Sequence, residues 1–152
     1  MKIAVGIALA FTASLVHASP FVVTVGTDVT TAVLGAEFGV RVEVFNVSSP
    51  SHNVVLSGTV PTTLRLRDVA GGVGWSCAVQ AQEFQCVQPS LGPGAVGAIM
   101  LNVTADHGPT PVVVTALVTE QGSAWPATGS SAPIAVNTPD AIYMSGFEGD
   151  AP

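Results

Sequence analysis

Hydrophobic and polar residues alternate with a period of two along most of the chain beyond about residue 20. Such alternation places every second side chain on the same face, which is typical of half-buried β-strands. It is clearest over residues 38–44, where apolar side chains alternate with Gly39, Arg41 and Glu43. The pattern predicts a hairpin after Trp75 and strands over residues 21–25, 38–44, 53–60, 64–67, 97–105, 112–119 and 133–136. Seven or eight strands without a helical period indicate an all-β, antiparallel sandwich of about seven strands.

The same alternation predicts which side chains face the core. A register slip of one residue would turn each set to the opposite face, so the assignment is strict. The side chains expected to be buried are Phe38, Val40, Val42, Val44, Trp75, Phe84, Ile99, Leu101, Val103, Val112, Val114 and Val118. Those expected on the surface are Arg41, Glu43, Arg65 and Arg67.

The two cysteines of the chain, Cys77 and Cys86, flank a short segment with turn character. If residues 80–83 form the turn, Val79 faces Phe84 and the cysteines face each other. Directly opposed side chains across two antiparallel strands lie near the separation that a disulfide requires. A metal site would need further ligands, and no histidine is close in sequence. We therefore predict one hairpin disulfide.

Several further residues have predicted local roles. Trp75 shares its strand parity with Cys77, which favours a core side chain beside the disulfide. Asn46 follows a predicted strand and is expected to cap the next turn through side-chain hydrogen bonds to backbone. A turn is predicted over residues 71–74, and Pro93-Gly94 predicts a type II turn in which Gly94 supplies the positive φ.

The first 18 residues have the composition of a secretory signal peptide. Lys2 precedes an apolar run over residues 3–11, and small residues lead to Ala18. A membrane span would need roughly 20 uninterrupted apolar residues, and polar residues interrupt this run. We predict a signal peptide over 1–18, one domain over 19–137 and a short tail over 138–152. The expected location is secreted or in the cell envelope, with no membrane span after cleavage.

Composition narrows the classes of partner. The chain is 48% hydrophobic, only 9% charged, and carries a formal net charge of −6. Its basic residues beyond Lys2 are three arginines, set against ten acidic residues. Phosphate backbones and anionic membranes are bound by clustered cations, so neither nucleic acid nor an anionic membrane surface is an expected partner.

The sequence contains no recognisable catalytic motif. Nucleophilic catalysis needs a serine or cysteine beside an oriented base, and the histidines beyond the signal peptide, His52 and His107, lie in Ser-Pro and Gly-Pro contexts. Glu37, Glu43 and Glu120 could supply paired carboxylates, but their spacing selects no pair. We predict no catalytic, cofactor-binding or metal-binding residues, and no enzymatic activity.

A family resemblance follows from an ordered set of motifs. They are Asn46, Asn53-Val54-Val55-Leu56 leading to Thr59-Val60-Pro61, Trp75-Ser76-Cys77, Cys86, Leu91-Gly92-Pro93-Gly94 and the strand over 99–105. This order resembles the bacterial and archaeal surface-protein repeat called domain of unknown function eleven. The resemblance implies a single immunoglobulin-like sandwich in an exported adhesin or envelope protein.

Two functional hypotheses follow. In the first, the chain is a non-catalytic adhesion or interaction module that binds a protein or glycan through strand edges and loops. In the second, it is a structural accessory or spacer domain of the envelope without its own ligand. The first predicts exposed aromatic or apolar side chains outside the core, for which Trp125, Tyr143 and Phe147 are the candidates.

Overall fold

The computed structural model describes residues 18–108, 110–121 and 126–138, and these residues form strands, turns and loops without a helix. The twelve strands are β1 (Phe21–Thr27), β2 (Thr31–Val33), β3 (Glu37–Asn46), β4 (His52–Thr59), β5 (Leu64–Gly71), β6 (Ser76–Gln80), β7 (Glu83–Leu91), β8 (Val96–Ala105), β9 (Thr110–Val112), β10 (Thr115–Glu120), β11 (Ala127–Ser130) and β12 (Ile134–Asn137). The described part therefore contains no helix that could cross a membrane.

The strands form three sheets. The front sheet has the order β1-β3-β8-β5, the back sheet has the order β11-β10-β4-β7-β6, and a small sheet has the order β2-β12-β9. Every pairing is antiparallel except that of β2 with β12. Inward side chains of the front and back sheets join in one hydrophobic core, which is the packing of a β-sandwich. The predicted all-β sandwich is confirmed.

The predicted core is also largely confirmed. Eleven of the twelve side chains expected inside are buried, and Phe38 is half-buried near the end of its strand. Arg41, Arg65 and Arg67 are exposed as expected. Glu43 is only half-exposed, because the Arg41 guanidinium binds its carboxylate at 2.8 Å. For these side chains, the alternation therefore assigned the inward and outward faces correctly.

The predicted number of strands was wrong. The structure has twelve strands rather than about seven. β2 and β11 contain three and four residues, too few for a readable alternation. The expected strand over 112–119 is divided at Val113 and Val114, where the chain passes from the small sheet to the back sheet. Ser131 satisfies the backbone of Val114 at this crossing, since its hydroxyl accepts from Val114 N–H at 3.0 Å and its N–H donates to Val114 O at 2.9 Å.

The predicted turn at Pro93-Gly94 has the expected geometry. Ala95 N–H donates to Gly92 O at 3.1 Å, and Gly94 has a φ of 69°. A glycine adopts this left-handed conformation without the steric cost of a Cβ atom. The turn places Gly92 and Gly94 beside the end of β3, where the candidate site lies.

Candidate functional site

The hairpin of β6 and β7 has the predicted register. Cys77 lies opposite Cys86 and forms a disulfide with it, and Val79 lies opposite Phe84. Gln80 pairs with Glu83, so residues 81 and 82 form the tip of the turn. The disulfide was the main covalent feature expected from sequence, and it ties the outermost strand of the back sheet to its neighbour.

Trp75, just before β6, is buried and closes the core next to this hairpin. An added Cβ atom at Gly97 of β8 would lie 2.8 Å from Trp75 ring atoms, so the indole packs directly on the β8 backbone. Trp75 Nε1 has no hydrogen-bond partner among the described residues. The predicted role as a core side chain near the disulfide is confirmed.

Asn46, at the end of β3, is completely buried and holds three chain segments together. Its Nδ2 donates to Pro50 O at 2.8 Å, Leu91 O at 2.9 Å and Gly92 O at 3.1 Å. Its Oδ1 accepts from the backbone N–H of Ser48 at 2.9 Å and from the Ser48 hydroxyl at 2.7 Å. We call this arrangement the Asn46 clasp. The predicted turn cap is present, and the contacts with β7 extend it to a distant part of the chain.

A second set of polar side chains continues from the Asn46 clasp. Ser48 Oγ lies 2.6 Å from His52 Nε2, and His52 Nδ1 lies 2.5 Å from Glu120 Oε1. The His52 side chain is 12% exposed and packs edge-on against Phe21, with ring centroids 5.4 Å apart. The strand order β10-β4-β7 brings Glu120 beside His52 across 68 residues of sequence. We call these three residues the Ser48 relay.

The Ser48 relay has the order of groups found in nucleophilic catalysis, namely hydroxyl, imidazole and carboxylate. The Glu120 carboxylate only accepts hydrogen bonds, so His52 donates to it through Nδ1–H. The Ser48 hydroxyl has one proton, and both His52 Nε2 and Asn46 Oδ1 are within donation distance of its oxygen. The serine is therefore shared with a buried amide that fixes its loop. The arrangement ties the β3–β4 loop to β10.

A second amide clasp lies at the tip of the β6–β7 hairpin. Gln82 Nε2 donates to Leu64 O at 2.6 Å, Val60 O at 3.2 Å and Pro61 O at 3.3 Å. Its Oε1 accepts from Leu66 N–H at 3.0 Å. The amide thus occupies backbone groups of β5, an edge strand of the front sheet, as a neighbouring strand would. We call this arrangement the Gln82 clasp.

An apolar row crosses the outer face of the front sheet immediately before Asn46. Val22 of β1 lies opposite Phe45 of β3, and Phe45 lies opposite Val96 of β8. Their exposed fractions are 48%, 38% and 55%, respectively. Val47, two residues after Phe45, is also exposed. These side chains form the Phe45 row, an apolar surface that the core does not use.

The structure does not describe the side chains predicted from sequence to contact a partner. Trp125, Tyr143 and Phe147 lie outside the described residues. The predicted signal peptide over 1–18 lies outside them except for Ala18, as does the predicted tail beyond Thr138. Among the side chains that are described, no three His, Cys, Asp or Glu residues gather as metal ligands would.

Sequence reasoning missed both the Ser48 relay and the Phe45 row. Nothing in the local sequence relates Glu120 to His52, because their proximity depends on strand order. The row did have a readable signal. Val22, Phe45 and Val96 are apolar residues on the outward parity of strands whose inward positions are already apolar. Single exposed apolar side chains are common, but adjacent ones on three neighbouring strands form a contiguous patch, which is a candidate interaction surface.

Comparisons with known proteins relate the chain to others by fold alone. No protein-family model matches the sequence, and no curated protein matches it significantly. The major pilin subunit of Bacillus cereus is similar in structure, with a TM-score of 0.59 and 8% identity. The match covers 78% of this chain and 40% of the pilin, so this chain corresponds to less than half of that subunit.

Two further solved structures are similar over most of their length. A type I cohesin–dockerin complex from Clostridium thermocellum matches with a TM-score of 0.52 and 12% identity, covering 83% of this chain and 100% of the matched one. An uncharacterised protein from Nocardia farcinica with an immunoglobulin-like fold matches with a TM-score of 0.50 and 18% identity, covering 81% and 90%. The fold of this chain is therefore an immunoglobulin-like sandwich.

Proposed function

We propose that this chain is an exported interaction module that binds a protein partner at the Phe45 row. The observation that carries the proposal is the register that places three exposed apolar side chains side by side on β1, β3 and β8. Burial of such a row against a partner releases ordered water and contributes roughly 25 cal/mol per Å² of apolar surface. Similarity in fold to a cohesin solved with its dockerin supports a protein partner.

The Asn46 clasp supports this role because it rigidifies the adjacent loop. Phe45 and Val47 flank Asn46, whose side chain and backbone are held by hydrogen bonds. A binding surface that is already ordered loses less conformational entropy when a partner docks. The row is consequently presented on a fixed backbone.

A pull-down from envelope extract tests the proposal. The triple variant Val22→Thr, Phe45→Thr and Val96→Thr keeps strand propensity while removing the apolar surface. We expect the natural chain to capture a protein that this variant fails to capture. The matched control Thr24→Ser, Glu43→Gln and Ala98→Ser alters the next outward row of the same strands and should capture normally. Equal capture by the row variant would exclude the row as the binding surface.

The alternative is that the chain is a structural accessory or spacer of the envelope. In that case the purified chain should capture no specific protein, and the row variant should behave like its control. We propose an envelope or secreted location for the chain on two grounds. These are the resemblance to domain of unknown function eleven and the predicted signal peptide over 1–18. Detection of the chain in the cytoplasmic fraction with residues 1–18 intact would contradict the proposed export.

We further propose that the module has no catalytic activity, in spite of the Ser48 relay. The single proton of Ser48 has three acceptors within reach, His52 Nε2, Asn46 Oδ1 and Pro50 O, and the Asn46 amide that competes for it is fully buried. A fluorophosphonate probe, which labels activated serines, should leave the protein unlabelled. Labelling that disappears in Ser48→Ala and persists in Ser49→Ala would overturn this proposal.

A further inference from the structure

The outer edges of the front and back sheets are protected to very different degrees. β1 and β11 lie against each other, and an added Cβ atom at Gly129 would be only 2.7 Å from Val23 O. β5 is occupied by the Gln82 clasp, contains a bulge after Leu66, and carries Arg65 and other charged residues. Bulges and charges of this kind hinder strand pairing at an edge. β6 contacts the end of β5, where an added Cβ atom at Gly71 would lie 3.3 Å from Cys77 Sγ, but it has no clasp, bulge or charge.

The register of the hairpin shows which β6 backbone groups are free. The Cα atoms of Cys77 and Cys86 are 4.0 Å apart, the close spacing of a pair that exchanges no backbone hydrogen bonds. Pairs alternate along an antiparallel ladder, so Val79 and Phe84 form a second such pair. The N–H and C=O groups of Cys77 and Val79 consequently point away from β7. No described residue donates to them or accepts from them.

This edge is uncharged and held in place covalently. The strand reads Ser76-Cys77-Ala78-Val79-Gln80, without proline, charge or bulge. The Cys77–Cys86 disulfide fixes its register on β7. An edge strand that is already ordered binds an extended segment at a lower entropic cost than a flexible one does. Backbone hydrogen bonds then supply affinity, and pockets beside the edge supply specificity.

An open cleft extends from β6 across β7, β4 and β10 of the back sheet. Its volume is about 710 Å³, and its lining includes Ser57, Thr59, Val79, Gln80, Glu83 and Leu117. Glu83 is the only ionisable residue in its lining. The whole chain has a formal net charge of −6. A lysine or arginine is therefore the side chain that the cleft favours on electrostatic grounds.

We propose that the β6 edge is a second binding site, separate from the Phe45 row, which adds an extended peptide segment of a partner protein as a further strand. The added strand pairs with the outward groups of Cys77 and Val79 and places a lysine or arginine in the cleft near Glu83. This site goes beyond the proposed interaction at the front sheet, since β6 belongs to the back sheet.

Peptides selected from a displayed random octapeptide library on the natural protein provide the probe. Val79→Pro removes one outward N–H, and proline is tolerated at such positions of edge strands. The matched control Val79→Ala shortens the side chain to a similar extent and keeps the N–H. We expect selected peptides to contain a lysine or arginine, to bind Val79→Ala normally and to bind Val79→Pro about tenfold more weakly, the effect of one hydrogen bond.

Two further measurements separate the alternatives. The Val79 amide should exchange rapidly with solvent in the free protein and slowly in the complex, whereas the inward-bonded Ala78 amide should be protected in both. Glu83→Gln should weaken only the cationic peptides. Equal affinity for both Val79 variants, or failure to select any peptide, would overturn the proposal.

A second copy of this chain is the competing occupant. A concentration-dependent dimer of the natural protein that is abolished by Val79→Pro would show that β6 pairs with itself and would also overturn the proposal. Failure of the β6 experiments leaves the Phe45 row intact, because the threonine variant of that row does not alter β6. Conversely, peptides should still bind the row variant if only the row proposal is wrong.

Discussion

The Asn46 and Gln82 clasps both satisfy backbone carbonyls with one side-chain amide, but the two amides differ in burial. In each, one side-chain amide donates to three backbone carbonyls, of which only Pro50 O, bound by Asn46, is near in sequence. Asn46 is completely buried and also contacts the Ser48 relay, whereas Gln82 is half-buried at a hairpin tip. The first clasp stiffens the loop beside the Phe45 row. The second blocks the β5 edge and leaves the neighbouring β6 edge free.

This difference indicates that local burial decides how much a side-chain amide contributes to the stability of the sandwich. A buried amide has no water to replace a lost partner, so its loss leaves several backbone groups unsatisfied. A half-buried amide can be replaced in part by water. The effects of substitution should therefore be unequal even though the hydrogen bonds are similar in number.

The largest effect is expected at the Asn46 clasp. Asn46→Asp places a carboxylate against three carbonyl oxygens without access to water, and should lower the free energy of unfolding by about 3 kcal/mol or more. Urea denaturation measures the loss. Asn137→Asp, at an exposed position, is the control and should change stability little. A loss of less than about 1 kcal/mol in Asn46→Asp would show that the clasp does not hold these segments.

The second largest effect is expected at the disulfide of the β6–β7 hairpin, which carries Gln82. Replacement of Cys77 and Cys86 by serine should lower the free energy of unfolding by roughly 2 to 3 kcal/mol, since the disulfide closes a short loop. Thiol titration of the native, unreduced protein provides the direct check. Two reactive thiols per chain in the exported protein would contradict the disulfide.

Gln82→Glu tests the half-buried clasp. The carboxylate cannot donate to Val60, Pro61 or Leu64, and we expect a loss of about 2 kcal/mol, smaller than that for Asn46→Asp. Gln85→Glu adds the same charge to an exposed position of the same hairpin and should be nearly neutral. If both glutamate variants lose the same stability, charge rather than the clasp is responsible.

The smallest effect is expected at Ala81, which precedes Gln82 and has a φ of 55°. A left-handed conformation costs a residue with a Cβ atom about 1 to 2 kcal/mol. Glycine avoids this cost, but its greater freedom in the unfolded chain offsets part of the gain. Ala81→Gly should therefore raise the free energy of unfolding by roughly 0.5 kcal/mol, and the melting temperature should rise slightly with it. Ala78→Gly, in a regular strand, should instead destabilise. A lower melting temperature in Ala81→Gly would show that the turn is not strained.

Short-range features of the fold were predictable from sequence. The alternation assigned inward and outward faces correctly over β3 and β8, because side-chain direction in a strand depends only on parity. The facing of Cys77 and Cys86 followed from the same rule once the turn was located. Asn46 as a turn cap and Gly94 at a positive φ also depend on contacts within a few residues.

Strand order and sheet membership were decided only by the tertiary structure. Three sets of contacts join positions that no local rule relates. They are the contacts of Glu120 with His52, of Gln82 with β5, and of Phe45 with Val22 and Val96. Such contacts form because the inward faces of two sheets must be covered together and each edge must be paired, blocked or left open. The amino-acid sequence by itself determined the class of fold, the parity of its strands and the disulfide. Which surfaces remain available for a partner was settled by packing.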